Sequence, residues 1–138
     1  MGKYVYNYNA FNSINTEEDA YWLGFILADG YVSNASISKP YLQIKLSHID
    51  REHLVKFIKY MGYTTEEVIK DCVGGAYTKD NLCHVVKISN RQISTNLSQY
   101  GLSGAKSGKE KPYKCKTIAL EKAYIRGIFD GDGFIRST

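Results

Sequence analysis

The chain has 138 residues, of which 43% are hydrophobic, so it can bury the core of one globular domain. Its net charge of +4 is a mild basic excess that would help binding to nucleic acid but does not by itself indicate it. Three cysteines without a CxxC pair argue against a zinc site or a disulfide framework, and we predict reduced thiols. The sequence shows neither a signal peptide nor an apolar run of bilayer length, which predicts an intracellular, soluble protein of the cytoplasm or an organelle.

Residues 1–16 are predicted to be an N-terminal extension, followed by a first helix over 17–29. Thr16 is a suitable N-cap, and Asp19, three residues later, takes the place of the acidic residue in a capping box. Apolar residues then continue to Ala28. This pattern is typical of a helix that begins at a fixed point and is largely buried.

After the first helix the hydrophobic period changes to two, which predicts strands over 31–37 and 41–47 with a turn around Lys39 and Pro40. One face of the second strand is apolar, with Leu42, Ile44 and Leu46. The other face is mostly polar, with Tyr41, Gln43, Lys45 and Ser47. The sheet is therefore expected to cover a core on one side only.

Asp50 can cap a second helix over 51–61, which Gly62 ends. The remaining predicted elements are strands over 67–73 and 82–88, a third helix over 90–100, a linker over 103–117 and a fourth helix over 118–131. The linker is rich in glycine and lysine. The order αββαββα followed by a further helix predicts an α+β fold.

Two segments of the chain repeat one pattern, an apolar run with a central glycine that is closed by Asp-Gly. The first covers 22–30 and reads Trp-Leu-Gly-Phe-Ile-Leu-Ala-Asp-Gly; the second covers 125–133 and reads Ile-Arg-Gly-Ile-Phe-Asp-Gly-Asp-Gly. A single copy is ordinarily a core helix with its cap. Two copies with glycine and aspartate in register favour a shared functional role.

Each copy carries two small residues spaced by four, which lets the backbone of a second helix approach closely. They are Gly24 and Ala28 in the first copy and Gly127 and Gly131 in the second. If these stripes form a helix interface, Asp29 and Asp132 emerge side by side at its end. Two adjacent carboxylates repel one another unless divalent cations lie between them. Their hard oxygen atoms favour Mg²⁺, with Mn²⁺ as a substitute, and adjacent metal ions suit attack on a phosphodiester.

Both segments resemble the signature of the LAGLIDADG homing endonucleases. The matching positions are Gly24, Ile26, Ala28, Asp29 and Gly30 in the first copy, and Gly127, Asp130, Asp132 and Gly133 in the second. The resemblance implies a half of αββαββα order with a four-stranded antiparallel saddle sheet, and two motif helices at a central interface. It also implies site-specific cleavage of double-stranded DNA bound through the major groove, serving intron or intein mobility.

The resemblance further implies roles for individual residues. Asp29 and Asp132 would hold the catalytic metal ions, with the main-chain carbonyls of Ala28 and Gly131 as further ligands. Lys106 lies in a lysine-serine pair after the third helix, where the family places a basic residue near the cleaved phosphates. A solvated loop lysine is an equally good interpretation of Lys106.

Two positions depart from the family pattern. His48 stands just past the second strand, where the family usually has glutamine or another polar residue that positions water. A surface histidine before a helix cap is the alternative interpretation. Asp130 matches the other aspartate of the motif, but the first copy has Leu27 there, so we expect Asp130 to be structural or a solvated cap.

The outward face of the sheet is the natural place for reading DNA sequence, because alternate side chains can reach base edges while lysines contact phosphates. Outward polar residues of a solvated sheet have the same sequence pattern, so each candidate is individually weak. The candidates are Ser33, Tyr41, Gln43, Lys45 and Lys87.

Only five residues follow the second Asp-Gly. By the family pattern, 17–102 is a complete first half, and 118–138 is the interface helix of a second half whose sheet is absent. We therefore expect an N-terminal fragment with reduced or no cleavage. Self-association, or pairing with a separate C-terminal half, would restore the second sheet.

A non-cleaving DNA- or RNA-binding protein on the same scaffold, similar to a maturase or a regulator, is the alternative function. Retention of both Asp29 and Asp132 favours the nuclease, because a binding protein has no need of paired carboxylates beside phosphate. An oligomeric scaffold in which the motifs are incidental is a third hypothesis. It would show no dependence on Mg²⁺.

Overall fold

The computed structural model describes residues 4–72, 82–102 and 114–136, with side chains up to Asp132. Its helices are α1 (Glu17–Asp29), α2 (Arg51–Met61), α3 (Arg91–Ser98) and α4 (Ile118–Arg136). Its strands are β1 (Gly30–Val32), β2 (Tyr41–Ser47), β3 (Lys70–Cys72) and β4 (Cys83–Ser89). Short 3₁₀ helices cover His48–Asp50 and Glu66–Val68. The predicted α+β class is confirmed.

The four strands form one antiparallel sheet in the order β1-β2-β4-β3. At one edge Gly30 pairs with Ile44, and in the centre Leu46 pairs with His84. Since directly opposed residues of antiparallel strands project to the same side, these pairs define the two faces of the sheet.

The inward face of the sheet is buried beneath α1, α2 and α3. The prediction for β2 is confirmed, since its even-numbered side chains are buried and its odd-numbered ones are exposed or half-buried. The inward side chains are Leu42, Ile44 and Leu46 of β2 with Val86 and Ile88 of β4. One apolar face of the sheet therefore supplies much of the core.

Local hydrogen bonds fix where the helices begin and end. Thr16 Oγ accepts from the main-chain N–H of Asp19 at 3.0 Å, and Asp19 Oδ2 accepts from the N–H of Thr16 at 3.1 Å, so the predicted capping box is confirmed. Asp50 occupies the N-cap position of α2, but its side chain makes no capping hydrogen bond. Gly62 ends α2 with φ of +96°, a conformation that favours glycine.

The predicted helix interface is confirmed, because α1 and α4 cross where their glycines meet. A Cβ atom added at Gly24 would collide with the main-chain carbonyl of Tyr124, and one at Gly127 with the carbonyl of Tyr21. A Cβ at Gly131 would lie 2.7 Å from Ala28 Cβ. Only glycine at these positions allows the two backbones to approach so closely.

Three element boundaries differ from the predictions by three residues or more. β1 ends at Val32, because a turn follows in which the side chain of Asn34 accepts from the N–H of Ser36 at 2.9 Å. The strand predicted from residue 67 begins at Lys70, since the residues before it form a 3₁₀ helix. α4 does not end at 131 but continues through Arg136.

Part of the predicted N-terminal extension belongs to the core. Ala10, Phe11 and Ile14 are buried. Phe11 has φ of +66°, an unfavourable conformation for a bulky residue, and its carbonyl accepts hydrogen bonds from Gln99 Nε2 at 3.3 Å and the hydroxyl of Tyr100 at 3.1 Å. This segment is thus held against the end of α3.

The prediction of three reduced thiols is correct for Cys115 and wrong for the other two. Cys115 is free and buried, and burial raises the pKa of its thiol to about 11. Cys72 and Cys83 pair directly across β3 and β4, with Cα atoms 5.2 Å apart, and form a disulfide. Sequence spacing could not reveal this bond, because the bond depends on strand register.

Replacing Gly127 with alanine is expected to destabilise the fold, because the new methyl group collides with the main chain of α1. Overpacking typically costs about 1–3 kcal/mol. It opposes the gain in helix propensity of about 1 kcal/mol. Urea unfolding followed by circular dichroism should show a lower midpoint for G127A. The matched control is Lys122→Ala on the exposed side of α4. A G127A midpoint at or above that of the wild type would contradict the close crossing.

Candidate functional site

The structure brings the two motif aspartates to the same end of the helix crossing. Asp29 is the last residue of α1, and a Cβ added at Gly131 would lie 3.4 Å from Asp29 Cβ. Asp132 follows Gly131 in the chain, and both aspartates are half-buried. The close approach of Asp29 to Gly131 depends on the absence of a side chain there, since a larger residue at 131 would push the helix ends apart.

The surroundings of these carboxylates fit a hard divalent cation only in part. The Ala28 carbonyl belongs to the last turn of α1, where helix carbonyls lack the usual partner within the helix. The Gly131 carbonyl lies inside α4, because that helix continues to Arg136, so it falls within the helix hydrogen-bond ladder. Asp29, Asp132 and the Ala28 carbonyl are therefore the better candidates for Mg²⁺ ligands. Within the described ranges, no cluster of three or more His, Cys, Asp or Glu side chains is arranged for a metal ion.

The other two predicted catalytic residues have different outcomes. Lys106 lies outside the described residues. His48 follows β2 and is exposed, and its Nδ1 atom lies 2.7 Å from Nε2 of His84. His84 is buried on the inward face of the sheet. The predictions did not include His84, because alternation along β4 marks its position as an ordinary core position.

Four of the five predicted DNA-contacting residues share the outward face of the sheet. Gln43 lies directly opposite Lys87, and Tyr41 and Lys45 lie on the same side of β2. Lys87 Nζ stands 4.4 Å from the centre of the Tyr41 ring, a cation–π contact. Both lysines are exposed. This arrangement combines hydrogen-bonding groups, a stacking surface and positive charge.

Ser33 does not belong to this outward face. It is only 2% exposed, and its hydroxyl accepts from the main-chain N–H of Tyr41 at 2.8 Å. Its own N–H donates to the Tyr41 carbonyl at 2.9 Å. The prediction that Ser33 points outward is wrong, because alternation was extended past the true end of β1. Its polar side chain instead closes the turn between β1 and β2.

The outward face includes two residues that the predictions missed. Tyr31 pairs with Gln43, is 41% exposed, and places its ring centre 5.7 Å from that of Tyr41. Lys70 pairs with Val85 and is exposed. Tyrosine and lysine at outward positions were visible in the sequence, but the register that places them beside Tyr41 and Val85 was not.

Asp130 has a structural role, as expected, because it connects α4 to α1. The Tyr21 hydroxyl donates to Asp130 Oδ2 at 2.6 Å and also lies 2.8 Å from His53 Nε2. Since the single hydroxyl proton goes to the carboxylate, His53 must donate its own Nε2–H to Tyr21. Burial, followed by the charge and hydrogen bond of Asp130, raises the pKa of Tyr21. Burial lowers the pKa of His53 to about 4, so this histidine is neutral near pH 7.

The Tyr21 cluster lines an open cleft of about 790 Å³ between α1, α2 and α4. Its walls carry both signs of charge, with Glu17 and Glu18 facing Lys56 and Lys59. The cleft therefore shows no net preference for an anion or a cation, and we do not assign it a ligand.

The side of α4 that is turned away from α1 exposes three large apolar side chains, with the exposed Lys122 between them. Ile118, Ile125 and Phe129 are exposed there, Phe129 by 71%. Their spacing of seven and four places them on one stripe of the helix. A stripe of this kind is unusual on a surface that remains in water.

Neither a family model, nor a curated protein, nor a solved structure matches this chain. In the described segments, every helix is too short or too polar to cross a bilayer.

Acidification is expected to destabilise the fold through His53. Its folded-state pKa of about 4 lies below the ordinary value of 6.5, so the unfolded chain binds more protons between these two values. The contribution to stability is complete above pH 6.5 and is lost as the pH falls toward 4. Urea unfolding midpoints measured across this range should fall with pH for the wild type.

The control for this prediction is His53→Gln, which keeps a side-chain N–H donor for Tyr21 but cannot titrate. Its unfolding midpoint should fall less steeply over the same pH range. Equal pH dependence in the two proteins would show that His53 is not depressed in pKa.

Proposed function

We propose that this chain is a metal-dependent, site-specific DNA endonuclease of the LAGLIDADG type. The observation that carries the proposal is the glycine-mediated crossing of α1 and α4, which holds Asp29 and the Gly131–Asp132 pair together. It is supported by the antiparallel sheet, whose first strand begins directly after the end of α1. A core helix pair would need close packing, but it would not need an aspartate after each stripe.

In the proposed reaction, the chain's own groups bind and orient the phosphodiester. Asp29 and Asp132 provide the negative oxygens that hold Mg²⁺, and the Ala28 carbonyl is a further oxygen donor. The bound cations would polarise the scissile phosphate and lower the pKa of the attacking water. Both carboxylates are half-buried, and the glycine contacts set the spacing of the two helix backbones that carry them.

Recognition would take place on the outward face of the sheet. Gln43 can form two hydrogen bonds with an adenine edge, and the two lysines beside it can contact phosphates. Tyr31 and Tyr41 add a flat aromatic surface. A β-sheet lying along the major groove presents alternate side chains to successive bases, in agreement with the spacing of these residues.

The apolar outer stripe of α4 supports a second sheet on that side. We propose that Ile118, Ile125 and Phe129 pack against this sheet, supplied by a further segment or by a second chain. The resulting assembly would place the two carboxylates at its centre, with one sheet on each side. Without the second sheet, roughly half of the phosphate contacts would be missing, and DNA affinity would fall accordingly.

Cleavage is tested with the purified chain on a library of duplex DNA targets with Mg²⁺. Asp29→Asn and Asp132→Asn should each abolish cleavage at a defined site, because they remove metal-binding charge while preserving size. Replacing Mg²⁺ with Ca²⁺ should leave DNA binding intact.

The matched control for these substitutions is Glu52→Gln, which neutralises an exposed carboxylate on α2. It should cleave like the wild type. Full activity of D29N or D132N would overturn the proposed metal role, and sequence-specific binding without any cleavage would favour the non-cleaving DNA- or RNA-binding alternative.

DNA affinity should depend on Lys45 and Lys87 but not on a lysine of the helical face. For K45A and K87A we expect weaker binding and a shallower salt dependence, because each lysine that neutralises a phosphate contributes about 0.9 to the slope of log K against log salt. Lys59→Ala, at an exposed position of α2, is the control. Fluorescence anisotropy with a labelled duplex at several salt concentrations measures both quantities. Equally weakened binding in all three variants would place the interface elsewhere.

A further inference from the structure

The disulfide between Cys72 and Cys83 lies on the outward face of the sheet. The two cysteines are directly opposed in β3 and β4. In the neighbouring row of the same face, Val85 pairs with Lys45 of β2 and with Lys70 of β3. Directly opposed residues of antiparallel strands project to one side, and residues two apart on a strand do so as well. The bond and both lysines therefore share the face that is proposed to contact DNA.

In the part of the chain that the structure describes, β3 has few other restraints. It is an edge strand of three residues, and all three of its side chains are exposed or half-buried. The buried Val68 and Ile69 anchor the chain just before it. Asp71 Oδ1 lies 3.0 Å from His84 Nδ1, but this pair is ionic only when His84 is protonated, and exposed ion pairs contribute little. A short edge segment of this kind opens locally at low free energy.

The two sulfur atoms differ in their access to a reductant. Cys83 is 0% exposed, whereas Cys72 is half-buried. The thiolate of a dithiol reductant can therefore attack Cys72 Sγ, forming a mixed disulfide while Cys83 Sγ leaves with the bonding electron pair and takes up a proton. The second thiol of the reductant then displaces Cys72. The reductant loses two electrons and becomes a disulfide, and the protein gains two thiols.

We propose that the Cys72–Cys83 bond is a redox switch that holds Lys70 in place on the outward face. In the oxidised protein, β3 is fixed to β4, and Lys70 is positioned beside Val85 to contact a phosphate. Reduction releases the end of β3, so Lys70 must be ordered on binding, which lowers affinity. Lys45 keeps its position in both states, because β2 is a central strand. This inference rests on the DNA binding proposed above for this face.

The opening of β3 is measured by hydrogen exchange of main-chain amides in the full chain, oxidised or reduced with dithiothreitol. Thiol alkylation and mass spectrometry report the state of each cysteine. Reduction should speed exchange in β3 and leave α1 unchanged, and Cys72→Ser should match the reduced protein with or without reductant. Absence of the bond under oxidising conditions, or equal exchange of β3 in the two forms, overturns the switch.

The effect on binding is measured by fluorescence anisotropy of the same proteins with a labelled duplex at several salt concentrations. Reduction should weaken binding about threefold and lower the salt slope by about 0.9, the contribution of one phosphate contact. Lys70→Ala should bind equally in both forms, whereas the matched variant Lys45→Ala should retain the full redox effect.

Equal affinity of oxidised and reduced wild type, or a redox effect that persists in Lys70→Ala, overturns the role of Lys70. If reduction opens β3 but neither form binds DNA, the redox-dependent structure stands and the endonuclease proposal fails.

Discussion

The close approach of α1 and α4 is the constraint on which the rest of the structure depends. At Gly24 and Gly127 the backbone of one helix touches a main-chain carbonyl of the other, so neither position tolerates a side chain without separating the helices. That contact sets how closely the end of α1 that carries Asp29 approaches α4 at Gly131, the residue before Asp132. It also sets the rotation of α4, which the hydrogen bond from Tyr21 to Asp130 then holds. A change in helix spacing would therefore alter the candidate metal site and the half-buried cluster of Tyr21, His53 and Asp130 together.

The sheet has an inward face that packs in the core and stabilises the fold, and an outward face that is available for contacts. Its inward side chains are buried under three helices, and even the polar His84 is enclosed there. Its outward side chains are largely exposed or half-buried, with Lys87 lying over Tyr41 and Lys45 in solvent. Because only the inward face is needed for core packing, the residues of the outward face are free to vary with function. The outward face is therefore suited to the proposed DNA recognition. Substitutions on the helical side of the molecule serve as controls for it.

Sequence reasoning succeeded where the signal was local. Thr16 and Asp19 marked the start of α1 through hydrogen bonds only three residues apart, and the glycine stripes predicted the helix crossing because close approach requires them. It failed where register decides the outcome. Ser33 was assigned to the outward face because the end of β1 is set by a turn, and the Cys72–Cys83 disulfide depends on how β3 aligns with β4. Asp71 lies beside His84, which in turn contacts His48; these side chains come from three separate elements, so the sequence carried no sign of their contacts.

The two motif copies are alike in sequence but play unequal parts in the architecture. Gly30 is both the C-cap of α1 and the first residue of β1, so Asp29 is joined to the sheet without an intervening loop. A carboxylate fixed in this way keeps a constant distance from outward residues such as Gln43. In the proposed endonuclease, a cleavage position set by it would stay in register with the bases contacted by those residues. Asp132 lies instead within α4, which continues past it for another turn. Its position depends on how α4 packs against α1. The geometry of the proposed metal site therefore depends on the glycine contacts, because the two motif copies do not hold their aspartates in the same way.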